Sequence, residues 1–499
     1  MPELAVARRS AAAWTPFADW MATVNDLRGA AALLRWDRET TMPAAGAEGR
    51  AHQLATLAGL HHRELVRPDV DDMIGQLEAV ELDAHQEAMV REARRDRERA
   101  TRLPEDLVRA LSEACSRSVD VWHEARPRND FAAFAAALEP LVELKREEAA
   151  ALGQDGEPSA ALLDEFAPGA RAADLEPVVA ELRQRLAPLV AAAAERPAFE
   201  LPPRRWPAAG QLALARELAA AVGFDIRAGL IAESAHPFTN GNHRGDVRFT
   251  TRVDEHEPIG NITAVLHEAG HALYEQGLPG AYERTTLYDA PSLGAHESQS
   301  RLWENHVGRS PAFWRWVAPA LRRRFPEAMA GLDAADLHRA ATLVRPSPIR
   351  VAADEVTYNL HIVLRFELEV ALMRGDLAVR DLPGAWEEGL ERLLGLRPPS
   401  DADGVMQDIH WADGLIGYFP TYTLGNLYAA QLAEAFAEAH GDLEAHVERG
   451  EFAPLLAFLR ERVHRHGRRL PTPELMRLAT GRELGVHAFV AHLTAAYGA

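Results

Sequence analysis

The chain reads as mainly α: one large helical body with a small β-sheet at one edge. Three observations predict this. Ala, Leu, Arg and Glu dominate the composition, and all four are strong helix formers. Apolar residues recur at helical spacing over long stretches, among them 104–115, 131–150 and 175–194. Strand-like segments are few and short, at 225–233 and 246–253, flanking a Gly/Asn-rich turn at 239–245. At 499 residues the chain is long enough for two domains, yet no Pro/Gly/Ser-rich linker divides it. We therefore expect a single domain over 1–499, with a helical part at 1–210 and a part carrying the chemistry at 211–499. No fixed-period repeat points to a solenoid.

The residue inventory excludes several chemistries. Lys145 is the only lysine, which removes a P-loop lysine and a pyridoxal Schiff base. Cys115 is also alone, so neither an intrachain disulfide nor a four-cysteine metal site can form. A formal charge of −20 argues against sequence-independent nucleic-acid binding, which needs a basic surface. No 18-residue apolar stretch suggests a membrane span, and the N-terminus lacks a charged-then-apolar secretory pattern. The expectation is a cytoplasmic protein with no nucleic-acid or membrane partner.

Residues 261–276 carry the chemistry as His267-Glu268-x-x-His271. Ile262, Val265, Leu266, Ala269, Ala272 and Leu273 repeat at helical spacing, Asn261 can cap the start, and Gly277 and Pro279 stop the helix. Histidines at i and i+4 lie on one helix face, roughly 6 Å apart, and can share an ion. Glu268, next to the first histidine, can take a proton from water acidified by zinc to a pKa of about 7. The pattern points to zinc-dependent hydrolysis, most often of a peptide bond.

A catalytic zinc site needs a third protein ligand. After a turn-rich stretch, 296–306 again reads as a helix, and Glu297 stands 26 residues beyond His271. That spacing allows a turn and an antiparallel return. Glu304 and His306 are rivals for the role.

Six segments now stand in order: His236-Pro-Phe238, Asp246-Val-Arg248-Phe-Thr250, His267-Glu-Ala-Gly-His271, His296-Glu-Ser-Gln299, Ile349-Arg350-Val-Ala-Ala-Asp354 and Gly404-Val-Met-Gln407-Asp408-Ile-His410-Trp411. Together they resemble the M32 metallocarboxypeptidases, the thermostable carboxypeptidase family. Trp36-Asp-Arg-Glu-Thr-Thr-Met-Pro43 with Arg50 is similar more loosely, with Thr41 where an aromatic is more usual. The resemblance implies a large helical zinc-peptidase body with a deep active-site cleft, the part at 1–210 covering that cleft and the small sheet edging it.

The resemblance also implies roles. One Zn2+ per chain, replaceable by Co2+, sits on His267, His271 and Glu297, with Glu268 as general base. Arg350 holds the terminal carboxylate of a peptide substrate, with Arg248 as runner-up; by residue type alone, Arg350 reads as a salt-bridge partner. His410 and Tyr422, with Tyr418 close behind, are candidate donors to the oxyanion. His236, Asp246, Thr250, Asp354, Gln407 and Asp408 complete the substrate-site candidates, some as groups that orient ligands. A homodimer is implied as well. His464 and His466, beside Gly467, read as a solvated helix end. The competing readings are an oligopeptidase of the thimet or angiotensin-converting type and a helical scaffold with an incidental metal site.

Overall fold

The structure, a computed structural model, describes residues 2–153 and 157–498. Its architecture is helical with one three-stranded sheet. The stretches at 104–115, 131–150 and 175–194 fall on the helices Glu105–Ala125, Phe131–Leu152 and Ala172–Ala194, with Pro104 just before the first of them. Asp130 starts the second of these by accepting from the Ala133 amide at 3.0 Å, supplying one of the groups a helix start leaves unpaired.

The buried apolar residues gather in two clusters. Trp122 through Tyr497 contribute to one large cluster, in which Leu162, Leu182 and Leu186 pack with Val265, Leu273 and Leu427. A smaller cluster gathers Phe17, Trp20, Ile74, Leu77 and Ala93, closed by Tyr282 and Leu287. Segment 122–206 thus shares its core with the part carrying the chemistry. Amphipathic periodicity marks a face to be buried without naming its neighbour.

The first helix, Pro2–Thr40, lies along the sheet edge. Its Trp36 ring meets Phe238 at 5.2 Å, and Arg50 ties down the helix end through Leu34 O at 2.6 Å and Asp37 at 2.7 Å. Asn240 donates to Ala32 O at 3.2 Å. A cleft of about 650 Å³ between this helix and the sheet is lined by Thr239, Asn240, Asp246, Glu275 and Tyr288.

The sheet corrects one expectation. Its order is β1 (Gly229–Glu233), β3 (Asp246–Thr251), β2 (Thr239–His243), with β1 parallel and β2 antiparallel to β3. The segment read as a turn is therefore mostly a strand. Thr-Asn-Gly-Asn-His has no apolar alternation; pairing with β3 makes it a strand. Among the described residues no helix is long and apolar enough to cross a membrane.

Candidate metal centre

The motif helix runs Pro258–Gly277. Its cap is Glu257, which accepts from the Gly260 amide at 2.8 Å, with Pro258 in the first turn where a missing N–H costs nothing. Asn261 does not cap it. That side chain is buried and donates to Thr251 Oγ1 and Arg252 O, both at 2.8 Å, joining helix to sheet. The return helix Leu293–Arg301 continues as a π-helix over Leu302–Val307, a wider turn often found at functional sites. Two glycines let the neighbouring helices close on it. A Cβ at Gly270 would lie 2.6 Å from Gln299 O, and one at Gly425 would lie 2.4 Å from Glu297 Cγ.

These packings bring His267, His271 and Glu297 together, with one donor atom from each within 4.8 Å of the others. His267 Nε2 and His271 Nε2 lie 3.7 and 3.2 Å from Glu297 Oε2. The opposite ring nitrogens are taken: His267 Nδ1 meets Glu304 Oε2 at 2.8 Å, and His271 Nδ1 meets His296 Nδ1 at 2.5 Å. His296 Nε2 in turn reaches Glu275 Oε1 at 2.8 Å, so we assign its Nδ1 as the acceptor of the His271 proton. Both Nε2 lone pairs then face the same point as Glu297 Oε2. Two imidazoles and a carboxylate so aimed fit a tetrahedral cation with one position left for substrate or water.

Glu304 is thus an orienting group for His267 rather than a ligand, gripped by Arg301 and Arg309 at 3.2 Å each. His306 packs against His492, ring centroids 4.0 Å apart and the planes tilted by 38°, and lines a separate cavity. The electrostatics differ from ring to ring. Burial opposes a charge on His267 and on His296, but Glu297 and Glu304 outweigh it at the first and Glu275 and Asp289 at the second, raising both. Burial pulls His271 down to about 3, keeping it neutral. Burial alone would raise the Glu297 carboxyl, but Arg301, His267 and His271 outweigh it and hold it well below the usual carboxylate range. Glu268 is pushed upward by burial, opposed by His267 and by the Thr239 hydroxyl. Thr239 donates to Glu268 Oε2 at 2.7 Å; sequence reasoning missed it because it sat inside the presumed turn.

A second group of candidates gathers around Arg350, in the short turn Arg350–Ala352 ahead of the helix Glu355–Arg374. Asp408 Oδ1 accepts from Arg350 Nε and Nη2 at 3.0 and 2.7 Å. Its other oxygen accepts from Arg365 Nε at 2.7 Å. Arg350 also lies 5.3 Å from the Tyr422 ring centroid and 5.7 Å from that of Phe419. His410 Nε2 meets the Tyr422 hydroxyl at 3.4 Å, and burial brings His410 down to about 4. Tyr418 packs against both rings. The two tyrosine hydroxyls are close enough to Glu297 to feel its charge.

The remaining candidates take other places. Asp354 caps the helix Glu355–Arg374 through the Val356 and Thr357 amides at 3.0 and 2.9 Å. Gln407 accepts from the Arg350 amide at 2.7 Å and donates to Pro348 O at 2.9 Å. Thr250 is fully buried, its hydroxyl 2.6 Å from Ser234 Oγ and 3.0 Å from the Phe238 amide. Asp246 and Arg248 pair with each other at 2.6 and 2.9 Å beside Trp36. His236 sits exposed in the loop between β1 and β2. His464 is no solvated end: it is fully buried, and its Nε2 meets Gln299 Oε1 at 2.9 Å beneath the return helix. His466 is buried too. The backbone reversal at Gly467, φ 49°, turns this polar run inward.

The comparisons with known proteins agree with this geometry. The profile of the carboxypeptidase Taq (M32) metallopeptidase family matches residues 16–497. Thermostable carboxypeptidase 1 of Thermus thermophilus is 44% identical over 484 residues, 94% of this chain and 95% of that protein. Carboxypeptidase 1 of Bacillus subtilis is 35% identical, covering 96% and 97%. The crystal structure of an M32 carboxypeptidase from Deinococcus radiodurans superposes with a TM-score of 0.94 at 42% identity, covering 98% and 99%. Two histidines and a glutamate aimed at one point, in a chain alike end to end, make this protein an enzyme of the M32 metallocarboxypeptidase family.

Proposed function

We propose that the enzyme is a zinc-dependent carboxypeptidase that releases single residues from the C-terminus of peptides, with Glu268 as general base. The observation carrying the C-terminal assignment is the charge count around Arg350. Two buried guanidiniums, Arg350 and Arg365, share the one carboxylate of Asp408. One positive charge is left over beside Tyr358, Phe419 and Tyr422. A buried charge without a full counter-charge is costly, and a guanidinium grips a carboxylate in a planar, bidentate manner. The terminal carboxylate of a peptide supplies the missing charge.

His267, His271 and Glu297 supply the metal's donors. A bound Zn2+, or Co2+ in its stead, would act as a Lewis acid towards water and the scissile carbonyl. Glu268, with Oε2 held by Thr239, uses Oε1 to take the proton from the attacking water. It then returns that proton to the leaving amine. His410, Tyr418 and Tyr422 offer donors to the oxygen that gains charge. Arg350 fixes the register, so that one residue leaves at a time.

The runner-up is an oligopeptidase, and the two readings differ in their products. One N-acylated peptide incubated with the metal-loaded enzyme, its products weighed over time, decides between them. Loss of successive single residues supports the proposal, whereas dipeptides or internal fragments overturn it. The family likeness also underlies the expectation of a homodimer, which sedimentation over a concentration series tests.

A further inference from the structure

Tyr358 stands in the first turn of the helix Glu355–Arg374 and is 8% exposed. It touches both the metal centre's supports and the Arg350 pocket. On one side the Arg301 guanidinium lies over its ring at 4.6 Å, and Arg301 donates to Glu297 Oε1 at 2.7 Å and to Glu304 Oε2 at 3.2 Å. Tyr422 meets the ring at right angles, centroids 6.2 Å apart. A cation over the face and a perpendicular neighbour hold the phenol in one orientation. Its hydroxyl is then 3.3 Å from Arg350 Nη1.

A guanidinium can only donate, so Tyr358 Oη is the acceptor in that bond and its own proton is left to give. Among the described residues no group accepts it; the bond from Arg350 is the one this hydroxyl makes. Arg350 is used only in part as well. Nε and Nη2 donate to Asp408 and Nη1 to Tyr358, which leaves one N–H on each terminal nitrogen. We propose that the Tyr358 hydroxyl is a second donor to the terminal carboxylate of the substrate, beside Arg350. The inference rests on the reading of Arg350 as the C-terminal anchor. A carboxylate held by the free N–H groups of Arg350 comes within reach of an oxygen bonded to the same guanidinium. It can accept more bonds than those N–H groups supply, and an O–H donated to an ionised oxygen is among the stronger hydrogen bonds. A C-terminal amide brings no charge and puts an NH2 donor in place of one acceptor, so the hydroxyl adds to the preference for a free terminus.

The test compares metal-loaded wild type and Tyr358→Phe on one N-acylated peptide, with kcat, KM and bound metal measured separately. Phe keeps the ring beneath Arg301, so metal content and kcat should hold. Loss of the O–H should raise KM on the order of tenfold or more. The C-terminally amidated peptide, assayed as a competitive inhibitor whether or not it is cut, should bind both enzymes alike, because the variant removes a contact the amide does not make. A general loosening of the pocket would instead raise its inhibition constant in step with KM. An unchanged KM in Tyr358→Phe overturns the proposal, and so does an equal loss for acid and amide. Loss of metal or of kcat with KM intact overturns it too, since Tyr358 would then serve Arg301 and not the substrate. Wild type that takes acid and amide equally sinks the anchor at Arg350 itself. A wild-type preference for the acid that Tyr358→Phe keeps whole sinks only the role of the hydroxyl.

Discussion

Thr239 donates its hydroxyl to Glu268 Oε2 at 2.7 Å, binding an edge strand of the sheet to the carboxylate beside the first metal-site histidine. The same hydroxyl lies 3.0 Å from the Glu268 carbonyl oxygen. One oxygen of the carboxylate is thereby fixed, and the other is the one the proposed mechanism gives to proton transfer. Hydrogen bonds to charged groups contribute about 1.5–3 kcal/mol. Thr239→Val should therefore lower kcat on the order of tenfold or more, with KM and bound metal unchanged. Thr239→Ser, which keeps the hydroxyl, should restore most of the rate. Steady-state kinetics beside metal analysis checks this, and an inactive Ser variant would count against it.

The metal itself should be removable. A chelator should abolish hydrolysis until zinc or cobalt is restored. His267→Ala, His271→Ala and Glu297→Ala should each lose tight binding, because two donors hold an ion poorly. Glu304→Gln keeps all three donors but loosens the grip on His267, and should weaken metal affinity 10- to 100-fold. Competition with a metallochromic chelator measures both; full zinc in Glu297→Ala would move the third ligand elsewhere.

Chemistry and metal binding separate at Glu268. Glu268→Gln preserves shape without the ability to accept a proton, so metal should stay while turnover falls by about 10²–10⁴. Near-normal turnover in the fully metallated variant would remove Glu268 from its role.

Arg350→Ala should sharply lower kcat/KM for peptides with a free terminus. Amidating the peptide should do the same to the wild-type enzyme. The two losses should not add, because both delete one contact. Arg350→Lys should recover only part, keeping charge without the planar fork. Additive losses in the four-way comparison would disconnect Arg350 from the substrate terminus.

Acid stability offers a check that does not depend on activity. Burial would raise Glu355, yet His492, Arg309 and Tyr497 outweigh it and bring it down to about 2, from an ordinary value of 4.5. Its contribution to stability is full above pH 4.5 and disappears as pH falls from there towards 2. The shift corresponds to roughly 3 kcal/mol. Glu355→Gln should therefore be less stable than wild type at pH 7, with the gap closing as the pH falls towards 2. Denaturant midpoints across that range measure it; a gap independent of pH would mean packing, not charge, is what the carboxylate contributes.

What the sequence determined by itself was local. Helical periodicity announced the fold class, and i, i+4 spacing put His267 and His271 on one face. The segment around Glu297 followed from order along the chain, and the helix holding His267 ends at Gly277 where Gly and Pro predicted it. The tertiary structure decided the rest, because each remaining feature depends on a partner distant in the chain. β2 has no strand pattern of its own and exists through its pairing with β3. Asn261 and His464 looked like ends of elements and are instead buried links to Thr251 and Gln299. Asp408 meets two arginines 58 and 43 residues away, and the surplus charge that results cannot be counted along the chain. Periodicity reports which face must leave water; which groups meet there, and with what net charge, is settled only when the helices pack.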